Sequence, residues 1–181
     1  MTVVQQPARG LLLFRELALP ALAVALIAIY SDIRIPLGLP GHRGLVWLTL
    51  LVMVALATPR RETVVAVGAV ATLATFAAQT PAGPWASGRY VAAAVLLYAV
   101  AAVPVVPRRR WLLAVAAAPI HLVALGGSIA ALITHGQLLA FASAGMTERV
   151  VFHLAFGLTA GMLGLALASG LDRLSRTSPV A

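Results

Sequence analysis

The sequence predicts an all-α integral membrane protein in which six transmembrane helices form one compact bundle with both termini in the cytoplasm. Three observations predict this class: the composition of the 181-residue chain, its apolar runs and the placement of its arginines. Hydrophobic residues make up 61% of the chain and charged residues 10%, and the mean hydropathy is +0.99. These values differ strongly from those of soluble domains, so we expect a multi-pass protein of the cell membrane.

Apolar runs separated by charged residues, proline and glycine give the six predicted spans. About 20 apolar residues in a helix cross the hydrocarbon core of a bilayer. No small-residue cleavage pattern follows the first run, so we expect it to be a retained span rather than a signal peptide. The spans form a single domain over residues 1–181 and cover about 11–30, 44–58, 63–80, 90–106, 111–134 and 150–171.

The arginines predict the orientation. The connections on one side of the predicted membrane carry nine of them: Arg9, Arg15, Arg60, Arg61, Arg108, Arg109, Arg110, Arg173 and Arg176. The other side carries four: Arg34, Arg43, Arg89 and Arg149. The positive-inside rule places the richer side, with both termini, in the cytoplasm. The net charge of +8 is therefore a topology signal, and we expect no nucleic-acid partner.

The first outer connection runs into the shortest span through the segment IPLGLPGHRGLVW, residues 35–47. The span 44–58 has about 15 residues, or about 22 Å of helix, against a hydrocarbon core of about 30 Å. If residues 35–44 dip into the outer leaflet, they make up the difference and line a cavity, because irregular backbone at that depth must be covered by protein. The alternative is a surface turn beside a tilted helix.

The IPLG segment, Ile35 to Gly38, in a long first outer loop, together with six spans and inner termini, resembles the S components of energy-coupling-factor (ECF) transporters, the membrane subunits that bind vitamins or micronutrients. The small-residue pair Ala21 and Ala25 in the first helix adds to this resemblance. It implies a first outer loop that closes over a small-molecule solute, a transmembrane coupling subunit against Ala21 and Ala25, and ATPase subunits that drive uptake. The GHRG sequence after IPLG departs from the family pattern, so the class of solute is not implied.

Polar and aromatic residues near the outer ends of the spans predict a solute pocket. Arg149 and His153 share a helix face, and His121 is followed by the small residues 126–128, which leave space for a ligand. Such a pocket suits a small, flat or carboxylate-bearing solute. An ordinary interfacial belt, with His121 hydrogen-bonded inside the bundle, is the alternative. The candidate residues are His42, Arg43, Trp47, Trp85, His121, Ser128, Phe141, Arg149 and His153.

Several other functions are not expected. The five acidic residues fall at or beyond the span ends, which argues against a proton- or sodium-coupled carrier. The chain has no cysteine, and His121 and His153 are predicted to differ by about 10 Å in depth, too far for a bis-histidine haem. Common catalytic and nucleotide-binding motifs are missing, so we expect no enzyme, no metal and no cofactor.

Pairs of small residues one helical turn apart predict close helix contacts. They are Ala21 with Ala25, Ala114 with Ala118, and Gly157 with Gly161. Each pair fits either packing within the bundle or docking of another membrane subunit. Two hypotheses for the whole chain therefore remain: a solute-binding transporter subunit, and a small structural or assembly subunit without a ligand.

Overall fold

The computed structural model describes residues 9–33, 39–78, 84–126 and 144–177. Regular secondary structure in these ranges is entirely helical, which confirms the all-α prediction. The first helix, α1, joins three consecutive segments, Arg9–Leu13, the π-helical turn Phe14–Ala18 and Leu19–Asp32. The others are α2 (Gly44–Ala57), α3 (Glu62–Ala78), α4 (Pro84–Ala102), α5 (Trp111–Ile120, continued by a 3-10 turn, His121–Leu125) and α6 (Ala144–Thr177).

The predicted helix boundaries agree well for α2 and α3 and poorly for α4 and α6. Both α4 and α6 begin six residues before the predicted start, at 84 against 90 and at 144 against 150. Their first residues, PWASGR and AGMTER, are mostly small or polar and resemble a loop. Polar residues are nevertheless compatible with the first turns of a helix. The predicted end of the fifth span, at 134, lies outside the described residues.

Among the described residues, two helices are long and apolar enough to cross a membrane: 18 residues of α1 and 31 residues of α6 satisfy the length and composition that a span requires. The apolar stretches that the structure describes in α2 to α5 are shorter, with 10–17 residues each. The chain therefore contains membrane-capable helices.

Helix α2 lies at the centre of the fold. It contacts all the other helices, and its closest neighbour is α6. Ten of its 14 residues are buried, and they point to every side of the helix. This all-round burial agrees with the nearly continuous apolar sequence of α2, since a helix that is hydrophobic on all faces belongs in an interior.

Glycines on one face of α6 allow close crossings with α5 and α2. A Cβ atom at Gly157 would lie 2.7 Å from the Ala117 carbonyl oxygen, and one at Gly161 would overlap the Ala114 carbonyl oxygen. At Gly164, a Cβ atom would lie 2.8 Å from Val52 of α2. The Gly157 and Gly161 pair therefore serves packing within the bundle, one of its two predicted roles.

A cluster of charged side chains joins four helices at one end of the molecule, here called the Asp172 end. Arg15 Nη2 of α1 donates to Asp172 of α6 over 2.7 Å, and Arg110 Nη1 donates to the other carboxylate oxygen over 2.5 Å. Arg110 Nη2 also donates to the Leu56 carbonyl oxygen of α2 over 2.9 Å. The start of α2 lies at the opposite end, here called the Gly41 end.

Candidate functional site

The candidate site lies at the Gly41 end, where the turn Leu39–Arg43 leads into α2. Gly41 has φ of 84°, a left-handed conformation that glycine adopts without strain. Its carbonyl oxygen accepts a hydrogen bond from the Gly44 N–H over 2.8 Å. His42 Nδ1 lies 2.5 Å from the Leu39 carbonyl oxygen, so its ring closes the turn. Local hydrogen bonds thus shape the GHRG sequence into a compact cap on α2.

The two glycines of the cap, Gly41 and Gly44, contact two buried histidines. A Cβ atom at Gly41 would lie 2.9 Å from His153 Nδ1, and one at Gly44 would overlap His121 Nε2. Because His121 comes from α5 and His153 from α6, both glycines are needed for the cap to approach these helices. The described part of the predicted outer loop therefore packs against the helices, whereas residues 34–38 lie outside the described ranges.

The two histidine rings stack on each other, with centroids 4.9 Å apart and planes 27° from parallel. The predicted depth difference of about 10 Å is therefore wrong. The prediction assumed that the last helix starts at residue 150, whereas α6 starts at Ala144, so His153 lies further from the start of the helix than predicted. The stacked rings nevertheless do not face each other across a gap, as two axial ligands of one iron must.

Each histidine is oriented by a backbone carbonyl group. His121 Nδ1 lies 2.8 Å from the His153 carbonyl oxygen, and His153 Nδ1 lies 2.9 Å from the Arg149 carbonyl oxygen. Since a carbonyl oxygen only accepts, both Nδ1 atoms carry the proton, which leaves Nε2 bare in the neutral ring. His121 Nε2 is buried, faces Gly44 and has no hydrogen-bond partner among the residues that the structure describes.

An aromatic group connects the histidines to α4. The Trp47 ring lies 5.7 Å from the His121 ring and 5.5 Å from the Tyr90 ring, which it meets edge to face. Trp47 and Tyr90 are each about 2% exposed, so they form a rigid wall. The Arg89 guanidinium carbon lies 5.0 Å from the centre of the Tyr90 ring, and Arg89 Nη2 donates to the Tyr90 hydroxyl over 3.0 Å. This geometry combines a cation–π contact with a hydrogen bond.

A small pocket beside this wall is lined by residues of α1, α2 and α4. Its volume is about 10 Å³, close to the space that one water molecule needs. Within the described part of the chain, Arg89 Nε is buried without a hydrogen-bond partner, and only His121 Nε2 shares that state. No carboxylate is found among the described lining residues, which are Ile27, Tyr30, Ser31, Arg43, Trp47, Arg89 and Tyr90. Two arginines and two aromatic residues that contact them or each other therefore line the pocket, an arrangement that favours an anion.

The structure brings together some of the predicted site residues and separates others. Trp47, His121 and His153 form one buried cluster, and Arg43 lies at its edge beside the pocket. The exposed residue Arg149 contributes its backbone carbonyl oxygen, which accepts from His153 Nδ1. Trp85 lies in the first turn of α4, but its side chain is outside the described part of the structure, as are Ser128 and Phe141 altogether.

Five pocket residues were not among the sequence candidates: Ile27, Tyr30, Ser31, Arg89 and Tyr90. Arg89 had a sequence signal, because it is a single arginine directly before an aromatic residue at the start of an apolar run. Tyr30 and Ser31 lie in the last turn of α1 and have no comparable sequence signal, because only the packing of α1 against α2 places them at the pocket. Comparison of the chain with protein-family models, curated proteins and solved structures gives no match.

Proposed function

We propose that the chain is a membrane-embedded solute-binding subunit, similar to the S components of ECF transporters, with six spans and cytoplasmic termini. The two membrane-capable helices support a membrane location. Large apolar side chains that are more than half exposed, including Leu17, Leu73, Phe76 and Val151, support it further. Lipid tails would cover these side chains, which water would otherwise contact.

The pocket beside Trp47 supports solute binding, and the unpaired Arg89 Nε is the observation that carries this proposal. A buried donor without a partner is costly, on the order of 1–3 kcal/mol. A carboxylate or similar anion between Arg43 and Arg89 would supply the missing acceptor and accept bidentate hydrogen bonds. The Trp47 and Tyr90 rings would contact a flat part of the same molecule.

The turn Leu39–Arg43 serves as the lid in this proposal. With space for about one water molecule, the pocket admits a larger solute only after the turn moves away from it. Arg43 is carried on the turn itself, so its charge arrives at the solute as the turn closes. The lid thereby couples capture to closure on the outer side of the membrane.

Transport in this proposal depends on partner subunits. The chain has no nucleotide-binding motif of its own. Ala21 and Ala25 are exposed on α1, so this small-residue face is open to a transmembrane coupling subunit. ATPase subunits bound to that subunit would then supply the energy for uptake.

The second candidate function is a small structural or assembly subunit with no ligand. The tight packing around Trp47 and the small pocket volume favour it. In this case the histidine stack and the cap only stabilise the fold.

Native mass spectrometry of the full chain, purified from its host in mild detergent, tests the two functions. Solute capture predicts a co-purifying small molecule. In calorimetry, Arg43→Ala and Arg89→Gln should each lower the affinity for this molecule by on the order of 10- to 150-fold. Arg43→Lys should restore part of the binding, because an ammonium group lacks the planar fork of a guanidinium. Arg109→Gln, at the Asp172 end, is the control and should bind like the parent.

Recovery of partner subunits with no small molecule would favour the structural role. Unchanged binding in both Arg43→Ala and Arg89→Gln, with monodisperse protein, would place the solute elsewhere.

A further inference from the structure

A second pocket lies at the Asp172 end, between the end of α2, the end of α4 and the start of α5. We name it the α2–α5 groove and define it by Ala55, Thr58, Arg61, Ala101, Arg110 and Leu113. Its volume is about 220 Å³, much larger than the pocket beside Trp47. Its walls are mainly apolar, and its two charged lining residues are both arginines.

Arg110 is held in place at this groove. Its Nη1 donates to Asp172 and its Nη2 donates to the Leu56 carbonyl oxygen, while its side chain stays 34% exposed. A guanidinium has five N–H donors, so these two bonds leave further donors for a ligand. Because the side chain is already ordered, binding costs little additional rotamer entropy.

The charge balance at the groove is positive. Asp172 is shared by Arg15 and Arg110, so these three groups together carry one positive charge. Arg61 is exposed and, among the described residues, takes part in no ion pair. The groove therefore has a net charge of about two positive units next to an apolar wall. A ligand with one anionic group and an attached hydrocarbon chain matches both properties.

We propose that the α2–α5 groove binds the phosphodiester headgroup of an anionic phospholipid, with the phosphate at Arg61 and Arg110. One acyl chain would run along Ala55, Ala101 and Leu113. Basic pockets between helices on the cytoplasmic side of membrane proteins are suited to such headgroups. This site depends on the chain lying in a membrane and is independent of solute capture, because it lies at the opposite end of α2.

Titration of the full chain in a neutral detergent with phosphatidylglycerol or phosphatidylcholine, followed by native mass spectrometry, tests the proposal. We expect tighter binding of phosphatidylglycerol, and a loss of about tenfold in Arg61→Gln, since a charge-assisted hydrogen bond is removed. Ala101→Leu should also weaken phosphatidylglycerol binding by filling the apolar part of the groove. Arg109→Gln is the matched control, because Arg109 is exposed nearby and does not line the groove.

Three results would overturn the proposal. Equal losses in Arg61→Gln and Arg109→Gln would indicate general attraction to surface charge, and equal binding of the two lipids would exclude selectivity for an anionic headgroup. Displacement of phosphatidylglycerol by inorganic phosphate, with Ala101→Leu binding like the parent, would indicate a site for free phosphate. Co-purification of solute should be unchanged in Arg61→Gln, so failure of this site is distinguishable from failure of solute capture.

Discussion

Glycine is required at position 44 because the His121 imidazole occupies the space that a Cβ atom would need. His121 is fully buried, and its Nδ1 is held by the His153 carbonyl group, so the ring is not free to move aside. The same logic applies to Gly41, where the backbone conformation and contact with His153 both disfavour a side chain. The two glycines of GHRG are thus contact points for the two histidines.

We expect Gly44→Ala to lower the stability of the folded chain by about 1–3 kcal/mol or more, which is typical of overpacking. Thermal unfolding in detergent measures this effect. Gly170→Ala is the control, because a Cβ atom there meets nothing within 4 Å. The double variant Gly44→Ala with His121→Ala should recover part of the loss. A melting temperature for Gly44→Ala equal to that of the parent would contradict the predicted collision.

At the scale of helices, the Asp172 cluster joins the ends of α1, α2, α5 and α6. Helix α6 has 34 residues, and Asp172 follows the predicted span 150–171. A helix of that length, about 51 Å, exceeds the hydrocarbon core of about 30 Å, so its end would extend beyond the core of a membrane that the helix crosses. Burial raises the pKa of the Asp172 carboxyl, but hydrogen bonds from Arg110 and Arg15, with their charges, outweigh burial and lower that pKa below its ordinary value.

A carboxyl group whose pKa is lowered by folding stabilises the protein above its unfolded pKa, and the stabilisation is lost as pH falls through the folded pKa. We therefore expect the melting temperature of the parent to fall as pH decreases below about 4. Asp172→Asn should melt at a lower temperature near neutral pH and show a weaker dependence in the acidic range. Parallel pH curves for parent and variant would show that Asp172 does not contribute.

The exposed small residues of α1 give a second prediction at this scale. Since Ala21 and Ala25 are exposed, Ala21→Leu with Ala25→Leu should leave the melting temperature nearly unchanged. The larger side chains should abolish co-purification of a coupling subunit while solute binding persists. Ala23 is buried on the same helix, so Ala23→Leu is the contrasting variant and should destabilise the fold. Equal recovery of partner subunits with the double variant would exclude this face as the docking surface.

For the whole molecule, the arginine distribution predicts cytoplasmic termini, and the two pockets then face opposite sides of the membrane. Reporter fusions after residue 181 and within residues 81–88 should report opposite sides, with the first in the cytoplasm. The reverse result would place the Trp47 pocket inside and contradict capture of an external solute.

The sequence by itself determined the helical class, the approximate positions of the apolar helices and the residues that separate them. These properties follow from composition and local order, which act over a few neighbouring residues. It also indicated that His42, Arg43 and Trp47 belong near one end, because they are close together in the chain. Arg89 could have been added to the candidate site residues from the sequence alone, because it directly precedes an aromatic residue at the start of an apolar run.

Only the tertiary structure decided that α2 is the central helix and that His121 stacks on His153. It also decided which arginines line a pocket and that Arg149 remains outside, exposed. These facts depend on where α5 and α6 start and on how they cross and pack. A small error in a predicted helix end shifts the predicted depth of every residue in that helix. The physical reason is that side chains distant in sequence meet through close packing of helix surfaces, which glycines such as Gly44 and Gly161 permit and which no local pattern specifies.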